Sequence, residues 1–299
     1  MSRELPAHIA NLLPADSAGI PWAGRDLSGE GNPLHTFDGD DGFTTPVISE
    51  ARRRLLAGDT DEPGFVNALA GQRLFAPVLA TGHSDAEHGD KEAEISLVTL
   101  TASDGRRAMP AFTSVQALTD WHPEARPVAA EAERVMLAAL AEVAELVVLD
   151  PPSSGGGETP RASRPRAEAA AFTPEEAHLT FVIRRPAVEA LAQGSSWTPS
   201  YQDHQLAQAL ADIPQHCPGV SALQLSPGPG ILSETRDGSR VLGGGTGPEL
   251  SIGVVMEPGT DEVGVRLGLA AVQAAAEEIS LLRQRADSIQ IVQALRTEG

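Results

Sequence analysis

The sequence of 299 residues contains one cysteine and one lysine, and each scarcity excludes chemistry. A lone Cys217 leaves no intrachain disulfide, no C-x-x-C redox pair and no thiolate zinc cluster. Lys91 stands in His88-Gly89-Asp90-Lys91-Glu92, without the preceding glycine or following Ser or Thr of a Walker phosphate loop. Kinase and S-x-x-K hydrolase patterns fail on the same residue, and a Schiff base would have to use a lysine flanked by two acids. Aromatics amount to 4 % with Tyr201 the single tyrosine, so the core has to be built from Ala, Val, Leu and Ile. Long apolar runs are missing as well. No segment approaches the ~18 residues of a membrane span, and the stretch from Met1 to Pro6 lacks the apolar centre of a signal peptide. The expected location is cytoplasmic.

Acid is what the chain has in excess. A net charge of -19 repels nucleic acid and an anionic membrane surface alike, and it suits protein partners with basic patches. The apolar fraction of 41 %, with 29 glycines, is that of an ordinary globular protein. The length accommodates two domains of roughly 100–200 residues each.

Residues 1–45, rich in Gly, Pro, Asp and Ser, read as an extended arm that Trp22 and Phe37 pin down, with Arg25 close enough to anchor the turn. Helices are predicted over 47–57 and 63–70, closed by Gly58 and Gly71. Strands follow at 73–80, 95–101 and 107–113, the last two joined by the Asp104-Gly105 hairpin signal. Ser114 caps a short helix ending at Trp121. A helix over 131–143 leads to a buried strand, 146–149, that ends at Asp150-Pro151. Residues 152–176 read as a flexible insert. A strand at 179–183 and a helix to Gln193 complete the first unit. The second reads as helix 201–213, strand 220–225, a glycine-rich loop, strand 250–256, helix 260–285 and strand 288–292. Hairpins mixed with helices define an α+β protein of two domains, 1–196 and 197–299, each a mixed or antiparallel sheet packed with helices.

Few motifs point to chemistry. Gly228-Pro229-Gly230-Ile231-Leu232-Ser233 ends in Ser where a dinucleotide loop needs Gly, and Pro229 removes a backbone donor, so it reads as a turn. Gly243-Gly244-Gly245-Thr246-Gly247 precedes a strand and not a helix, so it lacks a phosphate-binding dipole and reads as a hairpin loop. His83, Asp85, Glu87, His88 and Asp90 could offer metal ligands, but they lie in what reads as a solvated loop. Asp38-Gly39-Asp40-Asp41-Gly42 lacks the bidentate acid of a calcium loop. Neither a G-x-S-x-G elbow nor H-E-x-x-H occurs, and Cys217 beside His216 reads as buried or incidental. No cofactor, metal or catalytic residue is therefore expected. Asp150, ending a buried strand, is the best-placed lone carboxylate, although a cap of the next turn is the favoured explanation. In the cluster Arg107, Pro110, Phe112, Thr113 and Trp121, Phe112 and Trp121 read as core and Pro110 as an edge or bulge. The alternative is a sheet edge that faces a ligand or partner. Candidate interaction residues are Trp22, Arg25, Arg107, Thr113 and Asp150.

The block from Asp104 to Ser114, with Ala117-Leu118, Trp121, Ala125-Arg126-Pro127 and Leu146 to Pro151, resembles the SseB family, named for enhanced serine sensitivity. Pro21-Trp22-Ala23-Gly24-Arg25 and the preference for Arg over Lys are similar to its actinobacterial branch, and the unit from Trp197 to Ile289 is similar to its second domain. The resemblance carries over no catalytic residue. It implies very little about activity; the leading expectation is a cytosolic, non-catalytic interaction or adaptor protein of the SseB type with an unidentified partner, with a homodimer left open. The alternative is a sensor of an amino acid or small molecule, or a minor enzyme, linked to serine metabolism.

Overall fold

The structure is a computed structural model and describes residues 37, 39–82, 93–102, 104–152, 179–235 and 238–294. Helix α1 (Pro46–Ala57) begins where the Thr45 side chain accepts the Ile48 N–H and stops at Gly58, whose left-handed conformation closes it. Helix α2 (Glu62–Asn67), capped by Asp61, ends earlier than its apolar pattern predicts, because residues 69–72 tighten into i→i−3 turns.

Strand β1 (Arg73–Gly82) pairs antiparallel with β2 (Ala93–Leu97) and, on its other side, with β5 (Arg126–Glu131). Sequence reasoning does not anticipate β5. Its Arg-Pro-Val-Ala-Ala-Glu composition is poor for a strand, and pairing with β1 imposes the conformation, at an edge where Pro127 is tolerated. The predicted strand 95–101 is divided between two sheets. Its last residues form β3 (Leu100–Thr101), which turns at Gly105 to pair with β4 (Arg107–Ala111). Strand β6 (Leu146–Leu149) runs parallel to β4, and β7 (Phe181–Arg184) antiparallel to β6, completing a four-stranded sheet of order β3-β4-β6-β7. Phe75 and Phe112 exchange both backbone hydrogen bonds, joining β1 to the end of β4. Pro110 lies between that bridge and the end of β3, where its missing N–H costs nothing.

Helices α1 and α2, with α4 (Ala132–Ala141) and α5 (Arg185–Ala192), bury Ile48, Phe65, Met136 and Leu191 against Met109, Val147 and Ile183. Helix α3 (Val115–Trp121), capped by Ser114, closes a smaller cluster in which Phe112 and Trp121 stack 5.3 Å apart. Both aromatics are core.

Beyond residue 197, β8 (Val220–Pro227), β11 (Leu250–Met256) and β12 (Ile289–Gln293) form a sheet of order β12-β11-β8. Its inner face packs against α6 (His204–Leu210), α8 (Glu262–Glu277) and α9 (Ser280–Arg285) through Leu206, Leu210, Val272 and Leu282. Three expectations are corrected here. The helix anticipated over 201–213 is a 3-10 turn (Ser200–Gln202), α6, and α7 (Ile213–His216), because the Asp203 carboxylate accepts the Gln205 and Leu206 N–H groups and so starts a new helix. The helix over 260–285 breaks at Glu278-Ile279, where i→i−3 turns redirect the chain and bring Leu282 into the core. The Gly243–Gly247 segment is not a hairpin loop: β10 (Arg240–Leu242) pairs with β9 (Leu232–Glu234), and β11 belongs to another sheet. The architecture is α+β. The described residues from Gly42 onward belong to one compact unit, and Trp197 and Val241 are buried in the first core.

Val143 closes α4 at φ 56, a left-handed conformation that a β-branched side chain disfavours, and its side chain is exposed. Val143→Gly is therefore expected to stabilise the protein by about 1 kcal/mol, against the usual direction of a glycine substitution. A rise in the urea midpoint with unchanged slope checks this.

Candidate functional site

Two residues singled out from the sequence, Thr113 and Asp150, meet. The parallel register of β4 and β6 sets Ala111 beside Leu149, so the residues that follow the two strands converge. Asp150 turns out of the strand at φ 47, its backbone N–H donating to Ala111. Its Oδ1 accepts the Thr113 N–H at 2.8 Å, and its Oδ2 accepts the Thr113 hydroxyl at 2.8 Å and the Arg52 guanidinium at 2.6 Å. Arg73 donates to the Thr113 and Phe43 carbonyls and lies 4.1 Å from the Phe75 ring centroid. Thr113 and Asp150 are 1 % and 4 % exposed, so this hydrogen-bonding capacity is spent inside the fold. Sequence reasoning misses Arg52 and Arg73. A signal for Arg52 exists: with Ile48, Ala51 and Leu55 it occupies the i, i+3, i+4, i+7 stripe that faces the core.

A second knot joins β7 to the C-terminal sheet. Arg184, 1 % exposed, donates to the carbonyls of Gly245 at 2.8 Å, Gly247 at 2.9 Å and Gly230 at 3.2 Å, and to Asp287 at 3.2 Å. Asp287 also accepts from Arg106 at 2.8 Å. The Gly244 N–H donates to Glu62 at 3.0 Å, and Tyr201 donates its hydroxyl to the other oxygen at 3.3 Å. Glu249 accepts from the Ser200 hydroxyl and from the Asp287 N–H. Burial drives the Glu62 carboxyl above its ordinary value, partly offset by the Gly244 N–H and by Arg184. Burial, followed by the neighbouring Glu62 carboxylate, raises the Tyr201 phenol too.

The third feature is open. A groove of about 590 Å³ runs between α6–α7 and β8, with Tyr201, Leu210, Leu223 and Leu225 among its apolar walls and Gln202, Asp203 and His204 on its rim. Strand β8 pairs only with β11, and among the described residues its other edge has no partner.

Of the remaining sequence candidates, Arg107 is exposed at the start of β4, 3.5 Å from the Thr99 hydroxyl and apart from the Asp150 knot. Trp22 and Arg25 lie outside the described residues, as do His83, Asp85, Glu87, His88 and Asp90, the 1–36 part of the arm and residues 153–178 of the insert. Cys217 is buried, and burial pushes its thiol up. Among the described residues no three His, Cys, Asp or Glu side chains group as metal ligands, and no helix is long and apolar enough to cross a membrane.

These features define an α+β protein whose buried polar residues brace its sheets and whose edge strand β8 has no outer partner among the described residues. Residues 49–162, from α1 to beyond β6, match the family model of the SseB protein N-terminal domain. This match over 114 residues supports an SseB-family protein and identifies the domain that carries the likeness. No curated protein and no solved structure matches it.

Asp150→Ala strands the Arg52 guanidinium and the Thr113 N–H without their acceptor and is expected to cost about 3–5 kcal/mol. Asp150→Asn, which keeps an oxygen for the Thr113 N–H, costs less; paired denaturant curves measure the difference. Glu62 binds its proton more tightly folded than unfolded, so its contribution to stability falls as pH rises from about 4.5 through the raised folded value. Glu62→Gln should flatten that part of the stability–pH curve, as read from melting temperatures between pH 4 and 8.

Proposed function

We propose that this SseB-family protein is a non-catalytic, cytosolic interaction module, with the binding surface carried by a C-terminal domain at 197–299. The observation that carries the reading is the open edge of β8 beside its groove. Eight residues, Val220–Pro227, contain no charged side chain, and their outer backbone groups are left unpaired among the described residues. Proteins ordinarily protect such an edge with lysine, proline or a covering element, and an edge left available is a template for another chain. The polar clusters that might otherwise serve chemistry, around Asp150 and Arg184, are occupied by bonds between elements of the fold.

A ligand that binds only the folded state raises the melting temperature by mass action. Serine, other amino acids and nucleotides at millimolar concentration are expected to leave the melting temperature within a degree of its starting value, whereas a purified binding partner raises it. A shift of several degrees with serine or a related amino acid would replace this reading with that of a metabolite sensor.

A further inference from the structure

We propose that the groove beside β8 accepts an extended, basic segment of a partner protein, which adds to the sheet as a fourth strand. This rests on the interaction-module reading above and names what the module binds.

Backbone phase is the first argument. In an antiparallel pair, alternate residues turn both backbone groups toward the partner strand. The Gly228 N–H donates to the Glu249 carbonyl, and the register then places Ser226, Gln224 and Ala222 in bonded pairs with Ser251, Gly253 and Val255. Val254, one step out of this phase, bonds through its carbonyl to Ala294 on the opposite side of β11. The N–H and C=O groups of Leu223 and Leu225 therefore point away from β11, and both residues line the groove. A strand of eight residues offers about 26 Å of such edge. The other edge, β12, has five residues and does not line the groove.

Shape and charge choose the occupant. A strand laid along β8 would run beneath α6, alternate side chains meeting the apolar wall of Leu210, Leu223 and Leu225 while the others face the rim. The lining holds no Lys or Arg; it includes His204 and the Asp203 carboxylate, which caps α6 and lies 3.8 Å from the Arg285 Nε. Asp61 lies 3.5 Å from the side chain of rim residue Gln202, and exposed Asp212 stands between the lining residues Ala211 and Pro214. With a net charge of -19, a second copy of the chain would bring like charge to this edge, whereas Lys or Arg side chains on an incoming strand meet opposite charge.

The probe is a fluorescein-labelled seven-residue peptide alternating arginine and valine, titrated into the full chain by fluorescence anisotropy. Three controls accompany it: the glutamate–valine peptide, and two versions N-methylated at every arginine or at every valine. An added strand turns only one set of its N–H groups toward β8. One methylation pattern should therefore weaken binding at least tenfold and the other should not, and the glutamate peptide should bind at least tenfold more weakly. Leu225→Pro deletes an outward N–H that the β11 ladder does not use and should weaken binding by a similar factor with a cooperative melt retained. If that variant does not fold, the methylated peptides decide the matter alone. Equal effects of the two methylation patterns overturn strand addition, and equal binding of the glutamate peptide overturns charge recognition. Absence of binding by the arginine peptide, or self-association that Leu225→Pro abolishes, overturns the proposal as a whole. A protein partner that still binds Leu225→Pro removes this site but keeps the interaction-module reading, whereas only a metabolite-induced melting shift removes that reading.

Discussion

The Arg184 guanidinium is the interaction on which the relation between the two halves of the described fold depends. It leaves the end of β7, enters a cradle formed by the carbonyls of Gly230, Gly245 and Gly247, and meets Asp287 just before β12. An arginine this deeply buried is costly unless its donors are satisfied, and loss of the partner of a buried charge costs on the order of 3–5 kcal/mol. The glycine carbonyls satisfy its two terminal nitrogens, while the buried Nε has no partner among the described residues. A Cβ on Gly245 would overlap the carbonyls of Gly230 and Leu232, and one on Gly244, at φ +70, would overlap the Phe181 ring. Only bare backbone can close so tightly around the guanidinium. Gly244 meanwhile accepts the Val182 N–H, so the same loop also covers the outer edge of β7.

This explains why a glycine-rich segment with no nucleotide-binding context is present at all. Loops that hold phosphate turn N–H groups toward an anion at a helix N-terminus. Here the polarity is reversed, and carbonyls converge on a cation that belongs to the protein. Glu62 uses one N–H of the loop, and the repulsion between Glu62 and Glu249 is relieved by the Arg184 charge and by the hydroxyls of Tyr201 and Ser200. Buried ion networks of this kind are weak evidence for stability, and it is the loss of one partner that costs most. The Asp150 knot is built in the same way and ties α1 to the ends of β4 and β6.

Local chemistry made much of this fold legible. Ser114 and Gly58 mark helix ends through caps that need no tertiary partner, and Asp104-Gly105 marks its hairpin. What escaped was decided by distant partners. Strand β5 exists because β1 is there to pair with, and the 95–101 run is shared between sheets because β1 and β4 compete for it. Asp150 and Thr113 could each be picked out, but their meeting required the parallel β4–β6 register, which no local pattern encodes. Arg184 left no trace in the strand pattern, since an arginine at a strand end ordinarily reads as solvent-facing. The β8 edge was legible only as a strand; that nothing described pairs with its outer side is a fact of topology.

The acidity of the chain and the bareness of that edge belong together. An uncharged strand edge invites self-pairing, and the usual local guards, an inward-facing lysine or a proline within the strand, are absent between Val220 and Ser226. On the reading proposed above, the guard would be global. Each copy carries -19, so two copies approaching edge to edge work against a like charge that no cation on either strand relieves. Such protection would be screened over about 8 Å at physiological salt, so it would act chiefly through exposed carboxylates by the groove such as Asp61 and Asp212. On the same reading, the field that disfavours a second copy would attract a cationic strand. A single property of the surface would then set both what the edge rejects and what it admits.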